Sequence, residues 1–157
     1  MTALYREHAL GLIRLAVVML GDRPAAEDVV QEAFCGLYRH WRSLTDPGKA
    51  LAYVRSSVIN GCRSVLRRRG RQAGGPAGLA GPPGESAETT ALTSEEHREV
   101  LAAVRRLPDR QREVLVLRFY LDLDEQEIAT ALRISRGTVK STASRGIAAL
   151  GRILGEQ

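Results

Sequence analysis

Aromatic side chains make up only 4% of this 157-residue chain, so its cores must be built from Leu, Val, Ile and Ala. Strand-formers are scarce, while Ala, Leu, Arg and Glu are abundant, a balance that favours an all-helical chain. Cysteine is nearly absent: Cys35 and Cys62 form no CxxC pair, and His8, His40 and His97 are scattered. That spacing holds no metal-ligand set. Both thiols fall inside helical patterns where a small apolar residue is wanted. They read as buried thiols in a reducing cytosol, with a redox-sensing pair as the alternative. Long apolar runs are missing too. Leu10–Leu20 is broken by Arg14 and is too short to span a bilayer. Glu7 and His8 interrupt the N-terminus before any signal-peptide core. The expectation is a cytoplasmic protein with no membrane span. Finally, no Ser/His/Asp arrangement, metal cluster or phosphate-cradling glycine loop is present, which excludes the common enzyme classes and implies no cofactor.

Hydrophobic residues (44%) and charged residues (26%) are instead those of a folded globular protein. The net charge is +5 with a pI of about 9.8, compatible with a nucleic-acid partner or an anionic membrane. Distribution is more telling. No acid occurs between Pro47 and Gly84, where Lys49, Arg55, Arg63, Arg67, Arg68, Arg69 and Arg71 lie, and none occurs between Glu127 and Glu156. Acids gather at Asp22–Glu32 and Glu85–Glu127, so each half has a basic end and an acidic region.

From Gly70 to about residue 92 the text turns to Gly, Pro and Ala, without periodicity. This is a flexible linker between two helical modules, 1–69 and 93–157. In module one, Leu12, Ile13, Ala16, Val17 and Leu20 make an apolar stripe on a helix from about Ala3 to Leu20. A second helix begins near Pro24, with Val30, Ala33, Phe34, Leu37, Tyr38 and Trp41 at steps of three and four and Asp28, Gln31, Glu32 and Arg39 opposite. A loop, Ser43–Lys49, leads to a third helix over 50–69. Its apolar side is Leu51, Val54, Val58, Cys62, Val65 and Leu66. Module two opens with Thr93 and Glu96 as a capping box. Its helices cover about 95–107, 109–120, 124–132 and 136–154.

The last two helices form a helix-turn-helix. Ala129 is the small residue at the contact, and Ile128, Leu132, Ile134 and Val139 belong to the shared core. On the final helix Val139, Ala143, Ile147, Leu150 and Leu154 step along a buried face. Arg136, Gly137, Thr138, Lys140, Ser141, Ser144 and Arg145 are then left to face a DNA major groove. Arg133 occupies the turn position where glycine is common, at a cost of about 1 kcal/mol for a left-handed non-glycine residue. Gly61 and Gly146 interrupt helices, each costing roughly 1 kcal/mol relative to Ala.

The strings GDRPAAEDVVQEAFCGLYRHW, ALAYVRSSVINGCRSVLRRR, LPDRQREVLVLRFYLDLDEQEIATAL and SRGTVKSTASRG together resemble bacterial RNA polymerase sigma factors of the extracytoplasmic-function (ECF) type. Module one resembles region 2 and module two region 4. The resemblance implies that Asp28, Gln31 and Glu32 dock on the clamp helices of the polymerase's largest subunit. It implies that the Ser43–Lys49 loop and the third helix capture a flipped base of the −10 element. Ser43, Lys49, Tyr53, Asn60, Arg63, Arg67 and Arg68, with Arg69, would serve there, although Tyr53 fits a core position equally well. Module two would read the −35 duplex and sit on the polymerase flap, and an anti-sigma factor would regulate the whole. A linker of this length extends to about 75 Å, enough for both modules to bind one promoter. The rival reading is a two-domain helix-turn-helix regulator that acts without docking on polymerase.

Overall fold

The computed structural model describes residues 2–72 and 94–155. It is all-helical over those residues. Module one is three helices: α1 (Thr2–Leu20), α2 (Arg23–Arg39) and α3 (Ala50–Gln72). Module two has four: α4 (Glu95–Arg105), α5 (Asp109–Phe119), α6 (Glu125–Leu132) and α7 (Arg136–Gly155).

Local chemistry sets most boundaries. Helix α1 stops at Gly21, whose φ of 70° is easy only without a Cβ. Asp22 caps α2, its carboxylate accepting from the Ala25 amide, with Pro24 in the first turn. Between α2 and α3 run two short 3-10 turns, Trp41–Ser43 and Pro47–Lys49, the second capped by Asp46 accepting from Gly48 N at 2.9 Å. Helix α6 begins with a reciprocal box: Glu127 N donates to Asp124, and Asp124 N donates to Glu127.

Leu12, Leu15, Met19 and Leu20 of α1 meet Val30 and Leu37 of α2 and Val54, Val58 and Cys62 of α3. In module two, Leu101, Val104, Val114, Leu117, Ile128 and Val139 form the equivalent centre. The modules also pack on each other, α1 against α4 and α5, and α3 against α6.

Several expectations change. Helix α3 runs to Gln72, so the start of the expected linker is helical; the rest of it, and Thr93, lie outside the described residues. The N-cap of α4 is Ser94, whose hydroxyl accepts from His97 N at 3.2 Å. Tyr38 is 74% exposed and Trp41, beyond the end of α2, 36%, so neither belongs to the core stripe. Cys35 is exposed beside them, and only Cys62 is buried. Ile147 is 52% exposed. Repeated steps of four rotate it about 80° from Val139 at 100° per residue, and Thr142 and Gly146 take the inward positions instead.

Gly61 and Gly146 mark close helix contacts rather than kinks. A Cβ on Gly61 would stand 2.8 Å from Val29 Cγ1 of α2, and one on Gly146 3.2 Å from Leu115 Cδ1 of α5. Each glycine lets two helices approach where a methyl group would intrude.

Candidate nucleic-acid interface

The turn between α6 and α7 takes the geometry a helix-turn-helix requires. Arg133 adopts φ 58° and ψ 46°, the left-handed conformation, in spite of its side chain. Ile134 N then donates to Ala129 O at 3.1 Å, closing the end of α6. Ser135 starts α7 by accepting from Thr138 N at 3.0 Å. Arg136, Gly137, Thr138, Lys140, Ser141, Ser144 and Arg145 are all exposed on α7. No acid lies on that helix, so its cationic face is unopposed from within. Two hydroxyls are already engaged locally: Thr138 Oγ1 lies 2.8 Å from Ser135 Oγ, and Ser141 Oγ donates to Thr138 O at 3.2 Å.

In module one an open groove of about 950 Å³ lies between α2 and α3. Asn60, Ser64, Arg67, Arg68 and Arg71 line its α3 side; Asp28 and Glu32 stand on its α2 side. Tyr53 lines it too, half-buried, its hydroxyl 3.4 Å from His40 Nδ1. That ring nitrogen also lies 2.9 Å from Gly36 O. Ser43 and Lys49 are exposed on the loop, with Ser43 Oγ donating to His40 O.

The three expected docking residues separate. Asp28 and Glu32 share the groove side, Glu32 accepting from Arg39 at 3.0 Å. Gln31 faces a crevice between α1 and α2 lined by Tyr5, Phe34, Cys35 and Tyr38. Both Tyr5 and Tyr38 expose their rings there; helical spacing alone places Tyr38 in the core stripe, and Tyr5 is not singled out by the sequence pattern.

The arginines of α3 also separate. Arg68 is exposed and Arg67, 3.7 Å from Asp109, largely so. Arg69 turns away from any ligand: it donates to Leu20 O at 2.8 Å and pairs with Asp22 at 3.3 Å, capping α1. Arg63 is held by Glu113 of α5, Nε to Oε2 at 2.9 Å and its terminal nitrogen to the other oxygen. The Glu113 side chain is wholly buried. Hydrogen bonding to Glu113 raises the pKa of Arg63, keeping it firmly charged. Arg55 lies 3.7 Å from Glu127, and burial lowers its pKa, with Glu127 opposing that effect. The Glu113 contact escapes sequence reasoning because its partners are 50 residues apart.

Two modules of this shape stand in one chain, one with a groove lined by arginines on its α3 side and one with a helix-turn-helix. The Sigma-70 region 2 family matches residues 4–72, and the Sigma-70, region 4 family matches residues 97–150. The ECF RNA polymerase sigma factor SigL of Mycobacterium tuberculosis is 32% identical over 99% of this chain and 89% of its own. The RNA polymerase sigma-E factor of Streptomyces coelicolor is 32% identical over 88% of this chain and 77% of its own. Among solved structures, the sigma factor RpoE of Bartonella quintana, in complex with the anti-sigma factor NepR, aligns with TM-score 0.71 at 21% identity, covering 99% of this chain and 98% of its own. CnrH, in complex with the cytosolic domain of CnrY, aligns with TM-score 0.73 at 21% identity, covering 99% and 88%. The chain belongs to the ECF family of RNA polymerase sigma factors. Among the described residues no helix is long and apolar enough to cross a membrane.

Proposed function

We propose that this chain binds core RNA polymerase and directs it to a two-element promoter, without a catalytic group or cofactor of its own. One observation carries the reading: a region 2 and a region 4 stand in one chain, each presenting cations from a helix. The α2–α3 groove suits single-stranded −10 DNA. Asn60 offers donors and an acceptor to an unpaired base, Arg67 and Arg68 offer phosphate contacts, Arg63 would join them only on leaving Glu113, and Tyr53 and the Ser43–Lys49 loop border the entrance. On α7, Arg136 and Lys140 suit guanine edges or phosphates of a −35 duplex, with Thr138, Ser141 and Ser144 adding shorter contacts and Gly137 and Arg145 on the same exposed helix. Asp28 and Glu32 on the groove side of α2, and Gln31 round the helix at the α1–α2 crevice, are the residues proposed to meet the polymerase clamp helices, and module two takes the flap. An anti-sigma protein is the partner expected to cover such surfaces. The site of action is the cytoplasm, beside polymerase.

The helix-turn-helix regulator reading accounts for α7 but leaves the acidic face of α2 without a task. The decisive experiment is core binding combined with transcription from a mixed promoter library. Core-dependent, promoter-selective transcripts are expected, and their start sites yield both elements. Asp28→Lys with Glu32→Lys is expected to abolish co-purification with core while leaving the helical circular dichroism intact. Retained co-purification would remove the docking role. A footprint from the free chain without core binding would favour the regulator.

A further inference from the structure

Where α3 faces module two, its arginines are met by carboxylates. Glu127 stands 3.7 Å from Arg55, Asp109 stands 3.7 Å from Arg67, and Glu113 takes Arg63 through both oxygens. One place between the modules departs from that pattern. The loop before α3 and the turn between α6 and α7 border a crevice of about 240 Å³, lined by Lys49 from one module and Arg133 from the other. None of its lining residues is acidic. Neither cationic side chain has an ion-pair or hydrogen-bond partner among the described residues. Two like charges brought to one crevice repel, and an anion between them turns that repulsion into attraction. Arg133 is also held at φ 58°, a left-handed backbone that glycine takes freely and a side chain opposes. A strained residue of this kind persists when something outside the turn favours it. The turn itself gives no reason for an arginine, whereas a charge delivered to the crevice does.

The rest of the lining sets the class of ligand. Leu44, Ala52 and Tyr53 form an apolar wall with one aromatic ring, a surface on which a nucleobase stacks. Ser56 is half-buried, and its hydroxyl has no partner among the described residues. The Thr130 hydroxyl is already engaged, donating to Gln126 O at 2.9 Å. Arginine holds phosphate through its planar fork and lysine as a point charge. The volume lies just below the roughly 300–1,000 Å³ of drug-sized sites, which suits a single nucleotide.

We propose that this crevice binds a free nucleoside phosphate, with its phosphate between Lys49 and Arg133, the Ser56 hydroxyl donating to it, and its base against Tyr53 and Leu44. Each module brings one of the two cations, so the site is composite. It is a small-molecule site that goes beyond promoter reading and does not depend on it. One nucleotide of a DNA strand offers the same chemistry, and the competitors below separate the two sources.

The test uses the full chain without polymerase. Fluorescence anisotropy follows GTP labelled on its ribose, with unlabelled GTP, ATP, GMP and inorganic phosphate as competitors. Saturable binding of one nucleotide per chain is expected, displaced by the nucleoside phosphates and less well by inorganic phosphate. Lys49→Gln and Arg133→Gly are each expected to weaken it about ten-fold or more, as loss of a charged hydrogen-bond partner does. Arg133→Gly removes the cation while relaxing the turn, so its urea midpoint should hold or rise. A purely structural part for Arg133 would leave nucleotide binding unchanged in that variant and would overturn the composite site. Arg136→Ala, which removes an exposed cation of α7 that does not line the crevice, should leave nucleotide binding unchanged. An equal loss there would mean diffuse attraction to a basic chain, and the site would fall. Absence of saturable binding would do the same. So would displacement by a single-stranded oligonucleotide when no unlabelled nucleoside phosphate displaces the label, because the crevice would then belong to the strand.

Discussion

Helices α3 and α7 are both arginine-bearing elements of a promoter reader, yet their cations live differently. On α7, Arg136, Lys140 and Arg145 face solvent, on a helix with no acid in its sequence. On α3, Arg55, Arg63, Arg67 and Arg69 each meet a carboxylate brought from elsewhere in the chain. The difference is not in the side chains but in what the fold sets opposite them. A duplex reader must be preformed and open, because a recognition helix enters the groove as a rigid body. If α3 takes a single strand as proposed, its partly self-paired arginines are shielded from the large excess of indifferent polyanion that any basic helix attracts.

The largest expected effect isolates α7. Arg136→Ala with Lys140→Ala should lower −35 duplex affinity by roughly 100-fold or more, at about 1–3 kcal/mol for each lost base contact. Binding of the −10 strand in the polymerase complex should be untouched. Equal transcription from promoters that need the upstream element would end the assignment of those two residues.

A smaller effect compares the close contacts inside the two modules. Gly61→Ala and Gly146→Ala both gain about 1 kcal/mol of helix propensity. Against this stands overpacking of about 1–3 kcal/mol, which depends on whether the neighbour can move. Val29 is β-branched and stiff, and a Cβ would come within 2.8 Å of it; Leu115, at 3.2 Å, has a freer end. Gly61→Ala should therefore lower the urea midpoint, and Gly146→Ala should leave it nearly unchanged. A larger loss at Gly146 would mean that module two is the more tightly built.

The smallest effect concerns the thiols. Burial raises the Cys62 pKa to about 12, chiefly by desolvating the thiolate. The folded value exceeds the ordinary 9.0, so the contribution to stability is complete below pH 9 and is lost as pH rises toward 12. Unfolding midpoints should fall more steeply above pH 9 for the natural chain than for Cys62→Ala. A thiol reagent at neutral pH should modify Cys35 promptly and Cys62 only in denaturant.

Much of the architecture could be read from short-range pattern. Stripes at three and four marked the helices, and Ala129, Ile134, Val139 and the turn at Arg133 marked the helix-turn-helix, because turns and their contacts depend on neighbours within a few residues. The reading failed where an apolar period admits two faces. Tyr38, Trp41 and Ile147 share the spacing of core residues but sit at the edge of the stripe or past the helix end. Cys35 failed for the same reason, while Cys62 three turns into α3 held.

Local sequence thus determined the seven α-helices of the described residues, their grouping into two modules, the left-handed turn at Arg133 and an acid-free final helix. These follow from propensity, capping and periodicity, which act within a few residues along the chain. Tertiary structure alone decided which arginines are offered and which are held. Arg69 is spent on the end of α1 and Arg63 on a buried Glu113. It also decided that Gly61 sits where a Cβ would strike Val29. Those outcomes depend on groups far apart in sequence meeting at hydrogen-bond distance, and ion pairing and close packing fall away within a few ångströms.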